Sequence, residues 1–161
     1  MQDSSLPLIV SAGAFLAVLL WRVRPLVAWR TKQRAEREAL RLAQARVALA
    51  AEGPERALAL CDTADLVARH VRGPGSAKGL YLRAMRSDPT SVEVIQRAVT
   101  GLAHRPRALE SLLWRRLATT PWRESSEATG AVLDALRAIY EGPLRNAIRA
   151  RALSNAREAL K

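Results

Sequence analysis

Six prolines punctuate the chain after residue 50, at positions 54, 74, 89, 106, 121 and 143. Inside a helix a proline clashes with the preceding turn, but at the first helical position its missing N–H has no bond to lose. Gly53, Gly73, Asp88, Thr120 and Gly142, which stop or cap helices, stand directly before five of them, with Arg105 before Pro106 the exception. The intervals of 20, 15, 17, 15 and 22 residues each hold one helix of about three to four turns and a short connection. The spacing predicts helices over 32–51, 54–72, 76–87, 90–104, 107–119, 123–141 and 143–160. Apolar residues recur at helical spacing within them: Val92, Ile95, Val99 and Leu102 in one, and Val132, Leu133, Leu136, Ile139 and Tyr140 in another.

Composition agrees with helices throughout. Ala, Leu and Arg dominate, and all three are strong helix formers. No run alternates polar and β-branched residues, so strands are not expected. With 161 residues, 49% of them hydrophobic, the chain is long enough to bury one core. The single cysteine, Cys61, excludes an intrachain disulfide and a cysteine-rich metal site, fits a reducing compartment, and sits too far along to carry an N-terminal lipid.

Alternate prolines are 35, 32, 32 and 37 residues apart, close to the two-helix period of about 34 residues seen in tetratricopeptide repeats. The wording is similar as well. AQARVALAAEGPERALALCDTAD resembles the helix–turn–helix of that family, with Ala48, Gly53 and Ala57 at the small-residue turn and the helix crossing. LYLRAMRSDP resembles the end of a repeat closed by Asp88 and Pro89. The resemblance covers about residues 36–160. It implies an array of antiparallel helix hairpins, either a tetratricopeptide-like solenoid or an irregular helical bundle. A stack of this kind offers a surface for peptides or partner proteins and implies a scaffold or adaptor, with no reaction attached.

The amino-terminal segment SSLPLIVSAGAFLAVLLW is uncharged from Ser4 to Trp21. These eighteen residues make a helix of roughly 27 Å, near the thickness of the hydrocarbon layer. A secretory signal needs a positive start, and MQDSS has none; it also needs a small-residue cleavage site, and the apolar run meets Trp-Arg-Val-Arg-Pro instead. A buried helix of a soluble domain would keep one wet face, and residues 6–20 have none. The expectation is a single-pass membrane anchor contacting lipid through residues 4–21, with Trp21, Arg22, Arg24, Trp29 and Arg30 at the membrane interface. The all-α chain then divides into an anchor (1–29), a basic juxtamembrane helix (30–52) and a helical-repeat domain (53–161).

Charge supports the same orientation. The net charge is +11, and residues 22–47 hold eight Lys or Arg against Glu36 and Glu38. No Lys or Arg precedes the apolar run. The positive-inside rule therefore places the bulk of the chain in the cytoplasm, attached to a bacterial-type inner membrane. The basic stretch RTKQRAEREALRLAQARV reads as a solvated helix that also meets anionic headgroups, each nearby cation contributing on the order of 1 kcal/mol. A nucleic-acid partner would exploit the charge too, but basic residues interleaved with base-stacking aromatics are lacking.

Motifs for chemistry are not found. His70 and His104, 34 residues apart, read as histidines near helix C-termini. Cys61, Asp62 and Asp65 lack a second cysteine or nearby histidine to complete a metal site. GPGSAKG at 73–79 fails the phosphate-loop spacing, since Lys78 precedes Gly79 and no hydroxyl follows; it reads as a turn with Ser76 as an N-cap. No catalytic, cofactor-binding or metal residue is nominated, and no small-molecule substrate is evident. The partner-binding candidates are Trp114, Arg115 and Trp122, because Trp and Arg are frequent interface anchors. Arg145 and Arg149 are expected on one face of the last helix. The expected function is a non-enzymatic, membrane-anchored protein–protein interaction module. The alternatives are an accessory subunit held in a larger membrane complex through its span, where SAGA at 11–14 permits close packing, or a basic nucleic-acid-binding protein.

Overall fold

The computed structural model of the protein describes residues 34–69, 74–119 and 126–160. The expected anchor at 4–21 and the interface residues Trp21, Arg22, Arg24, Trp29 and Arg30 lie outside them. Among the described residues there are only helices and no strand, and no helix is long and apolar enough to cross a membrane. The chain divides into two units, residues 1–39 and 40–161. Of the first, 34–39 are described and helical. The helix runs over 34–49 and is α1. The second unit continues with α2 (Pro54–Arg69), α3 (Pro74–Ser87), α4 (Val92–Gly101), α5 (Pro106–Thr119), α6 (Ser126–Glu141) and α7 (Ala147–Glu158).

Three prolines stand at the first residue of a helix, Pro54, Pro74 and Pro106. Gly53 enters α2 with φ +99, a conformation that costs a residue without Cβ little. The start of α3 at Pro74 corrects the reading of Ser76 as a cap; PGSAKG, residues 74–79, supplies the first turns of the helix. Two other prolines do not start helices. Asp88 folds the chain around Pro89, its Oδ1 accepting from Thr90 N at 3.2 Å and Thr90 Oγ1 at 3.0 Å, and Ser91 Oγ then caps α4 by accepting from Val94 N at 3.3 Å. Pro143 sits in the turn that closes α6. There Leu144 N reaches Ile139 O at 3.0 Å and Asn146 N reaches Tyr140 O at 2.8 Å, Arg145 turns left-handed at φ 46, and Asn146 caps α7 by accepting from Arg149 N at 3.1 Å.

The helices form two rows. α2 contacts α4 and α4 contacts α6; α3 contacts α5; and α2–α3, α3–α4, α5–α6 and α6–α7 join the rows. The most extensive pairing is α2–α3, and the sequence explains why. α2 buries a stripe of small side chains, Ala57, Cys61, Ala64 and Ala68, and α3 buries Ala77 and Ala84. Small residues at i, i+3 and i+4 let backbones approach, and the bulk is then supplied by Tyr81 and Met85, both fully buried. α6 buries Val132, Leu133, Leu136, Ile139 and Tyr140, the stripe its spacing predicts. Ile95 and Leu102 of the other predicted stripe are buried, Val92 and Val99 partly so, and Val94 and Ala98 join them. Each fully buried Leu or Ile contributes roughly 1.5–3 kcal/mol to this core.

Polar ties cross between helices. Lys78 Nζ of α3 donates to Ser111 Oγ of α5 at 3.0 Å. Arg116 of α5, 3% exposed, donates to the carbonyl of Pro89 in the α3–α4 turn. Among the described residues no carboxylate meets it and its Nε has no hydrogen-bond partner, and burial pulls its pKa down.

Candidate functional site

Two polar clusters and the clefts beside them are the places where the fold concentrates chemistry. The first joins α2, α3 and α4. Arg97 of α4 donates from Nη2 to Asp62 Oδ1 at 2.6 Å and to Asp65 Oδ2 at 2.5 Å. Tyr81 of α3 donates to Asp65 Oδ1. Burial acts to lower the Arg97 pKa, but its hydrogen bonds to Asp65 and Asp62 outweigh that and hold it raised. Tyr81 is raised by burial and then by its bond to Asp65. Cys61 lies beneath, fully buried, and burial pushes its thiol up to about 12. A thiol so protonated is a poor nucleophile. The cleft above, about 460 Å³, is lined by Asp65, Arg69, Glu93, Gln96, Arg97 and His104, among others. His104 is exposed and accepts from Arg105 Nε at 3.1 Å; His70 lies outside the described residues. Among the described residues no three His, Cys, Asp or Glu are placed to hold a metal ion.

The second cluster joins α5, α6 and α7. Tyr140 of α6, 1% exposed, donates its hydroxyl to Glu110 Oε1 of α5 and accepts from Trp114 Nε1 at 3.0 Å. Arg149 of α7 donates from Nη1 to Glu110 Oε1 and to the same hydroxyl, each at 3.1 Å. Its guanidinium carbon stands 5.4 Å from the Tyr140 ring centroid. The described bonds of this guanidinium use Nη1 alone, and the side chain remains 58% exposed.

Beside this cluster runs a groove of about 590 Å³. One wall is Glu110, Trp114 and Leu117, one face of α5 at i, i+4 and i+7. The other is Arg149, Ala152, Leu153 and Ala156 of α7, and Leu133 of α6 lies between them. Trp114 stands at its lip, 43% exposed. This groove differs in kind from the cleft over Arg97. There the lining carries four charged residues, of which Asp65 and Arg97 pair with each other; here it is mainly apolar, with the polar groups gathered at one end. An apolar concavity with a few convergent polar groups and an exposed Trp is the usual form of a binding site.

The sequence singled out Trp114, and the structure puts it in this groove. Arg115 beside it is exposed and is not among the groove's lining. Trp122 lies outside the described residues. Leu112, Leu113 and Leu117 of the same stretch are core. Arg149 was read as sharing a helix face with Arg145, but Arg145 precedes α7 in the left-handed turn, and the partners of Arg149 are Glu110 and Tyr140. The i, i+4 spacing of Glu110 and Trp114 was a visible sign of a shared face; the approach of α7 to that face was not.

No family model, curated protein or solved structure matches this chain.

Proposed function

We propose that the chain is a protein–protein interaction module, an adaptor or scaffold without enzymatic activity, tethered to the inner membrane by residues 4–21. The observation that carries the interaction reading is Trp114, a large aromatic held at the lip of an apolar groove by a hydrogen bond to a buried hydroxyl. Holding an aromatic anchor in place before binding lowers the entropic cost of the complex. The packing of three helices on the second one along, α2 on α4, α4 on α6 and α3 on α5, supports a stack of tetratricopeptide-like hairpins, since repeat arrays bury their faces against the neighbouring unit. The tether and the cytoplasmic placement rest on the uncharged run and on the positive charge that follows it.

The test is photo-crosslinking in cells, with a photoreactive residue at 114, at 152 and, as a control, at 58 on another exposed surface of the chain. A discrete protein adduct from 114 and 152 but not from 58 supports the reading. Adducts from none of the three sink it. A tag after Lys161 that stays with membranes through an alkaline wash, and is shielded from protease in spheroplasts, supports the tether; a soluble tag removes it.

A further inference from the structure

We infer that the groove between α5 and α7 receives an acidic amphipathic helix of a partner protein, whose apolar side rests on Leu117, Leu133 and Leu153 and whose carboxylates meet Arg149 and Arg107. The inference rests on the interaction-module reading and names the partner's chemistry.

Shape is the first argument. The α5 wall from Glu110 to Leu117 spans roughly 10 Å, about two helical turns. The α7 wall carries Ala152 and Ala156, small residues one turn apart that let an incoming backbone lie close. An amphipathic helix laid between two helices, with anchors at i, i+3, i+4 and i+7, fits such a seat. The surrounding fold offers no strand edge among the described residues, so an extended peptide would find no ladder to join.

Charge is the second argument. Arg107 is exposed, and helical spacing puts it one turn before Glu110 on α5. Among the described residues no carboxylate pairs with Arg107. Glu110, the one acid in the groove wall, is already satisfied by Tyr140 and Arg149. The charge left open at this end of the groove is that of Arg107 and the exposed side of Arg149, on a chain of net charge +11, and complementary potential favours a partner carrying Glu and Asp beside its apolar stripe.

The experiment uses the full chain in zwitterionic lipid discs and four fluorescent probes. Three are peptides of about five helical turns: Leu on one side and Glu on the other, the same with Lys for Glu, and a scramble of the Glu peptide. The fourth is a single-stranded RNA. The expected result is saturable binding of the Glu peptide alone, with Kd on the order of 1–100 μM, weakened by salt. Ala152→Trp fills the groove at an exposed position, and Trp114→Ala removes the anchor; each is expected to weaken binding about tenfold or more. Leu58→Ser leaves it unchanged, and circular dichroism checks that each variant keeps its helices.

Equal binding of Glu and Lys peptides, binding untouched by Ala152→Trp, or no peptide binding overturns the inference. Tighter binding of the RNA, indifferent to Ala152→Trp, overturns it in favour of nucleic acid. The in-cell adducts separate this failure from that of the broader reading. A partner crosslinked at 114 with no peptide preference leaves an interaction module whose partner is not acidic; silence in both removes the module as well.

Discussion

A β-carbon built on Gly101 would fall on the hydroxyl of Tyr81. The end of α4 therefore approaches α3 across a position where only glycine leaves room. The same hydroxyl donates to Asp65 of α2, so one contact registers three helices.

Gly101→Ala is expected to destabilise the protein by about 1–3 kcal/mol, because the buried, rigid Tyr81 ring would have to shift and lose its packing. This runs against helix propensity, which favours alanine by roughly 0.5–1 kcal/mol. Gly130→Ala in α6 makes the comparison. Its Cβ would meet the end of the Arg157 side chain at 2.6 Å, which is flexible and can swing away. That variant is expected to stay within about 1 kcal/mol of the parent. Helix loss followed by circular dichroism in denaturant checks both; a neutral Gly101→Ala removes the close approach.

Arg116 predicts a graded pair. Arg116→Ala leaves a cavity and an orphaned Pro89 carbonyl, and is expected to cost about 2–4 kcal/mol. Arg116→Met keeps most of the stem volume and removes a buried cation that no carboxylate among the described residues balances, so it is expected to cost distinctly less. Equal losses for the two would mean that the hydrogen bond to Pro89, and not packing, sets the value.

Cys61 predicts a pH dependence. Burial raises its pKa from 9.0 to about 12. The folded chain thus holds this proton more tightly than the unfolded chain does. The stability it contributes is fully present below about pH 9 and is lost as the pH rises toward about 12. Tyr81, also raised, acts in the same direction. Melting midpoints are expected to fall across this window, less steeply in Cys61→Ala. A thiol reagent should label the native chain only as it unfolds; rapid labelling of the folded protein at neutral pH would contradict the burial.

Tyr140→Phe removes the hydroxyl that Trp114, Glu110 and Arg149 share. The expected cost is about 1–2 kcal/mol. Because the three partners converge on one atom, Tyr140→Phe and Glu110→Gln are expected to be non-additive. Trp114 emission, isolated by subtracting a Trp114→Phe variant, should shift in Tyr140→Phe; an unchanged spectrum would mean that the hydroxyl does not position the indole.

Half of the candidate groove was legible in advance. Trp114 stood out by residue type, and the apolar stripe containing Leu133 by its spacing. Arg149 and Tyr140 were visible only as a surface cation and a core aromatic, because their meeting depends on how α7 folds back after α6. His104 shows the opposite case: a residue conspicuous in the sequence that the fold leaves exposed.

The sequence by itself determined where most helices lie and which faces they bury, because proline, glycine and the spacing of apolar residues act over one or two turns. Pro54, Pro74 and Pro106 start helices as that local rule requires. Pro89 and Pro143 do not, because Asp88, Ser91 and Asn146 satisfy the nearby backbone N–H groups and move the starts to Val92 and Ala147. Only the tertiary structure decided which polar groups meet. Arg97 reaches Asp65 across 32 residues and Arg149 reaches Glu110 across 39. Such pairs are set by the angle and distance at which separate helices cross, and those follow from the packing of Ala57, Ala64, Tyr81 and Met85 around the first pair and of Leu117, Leu133 and Leu153 around the second, which no local period encodes.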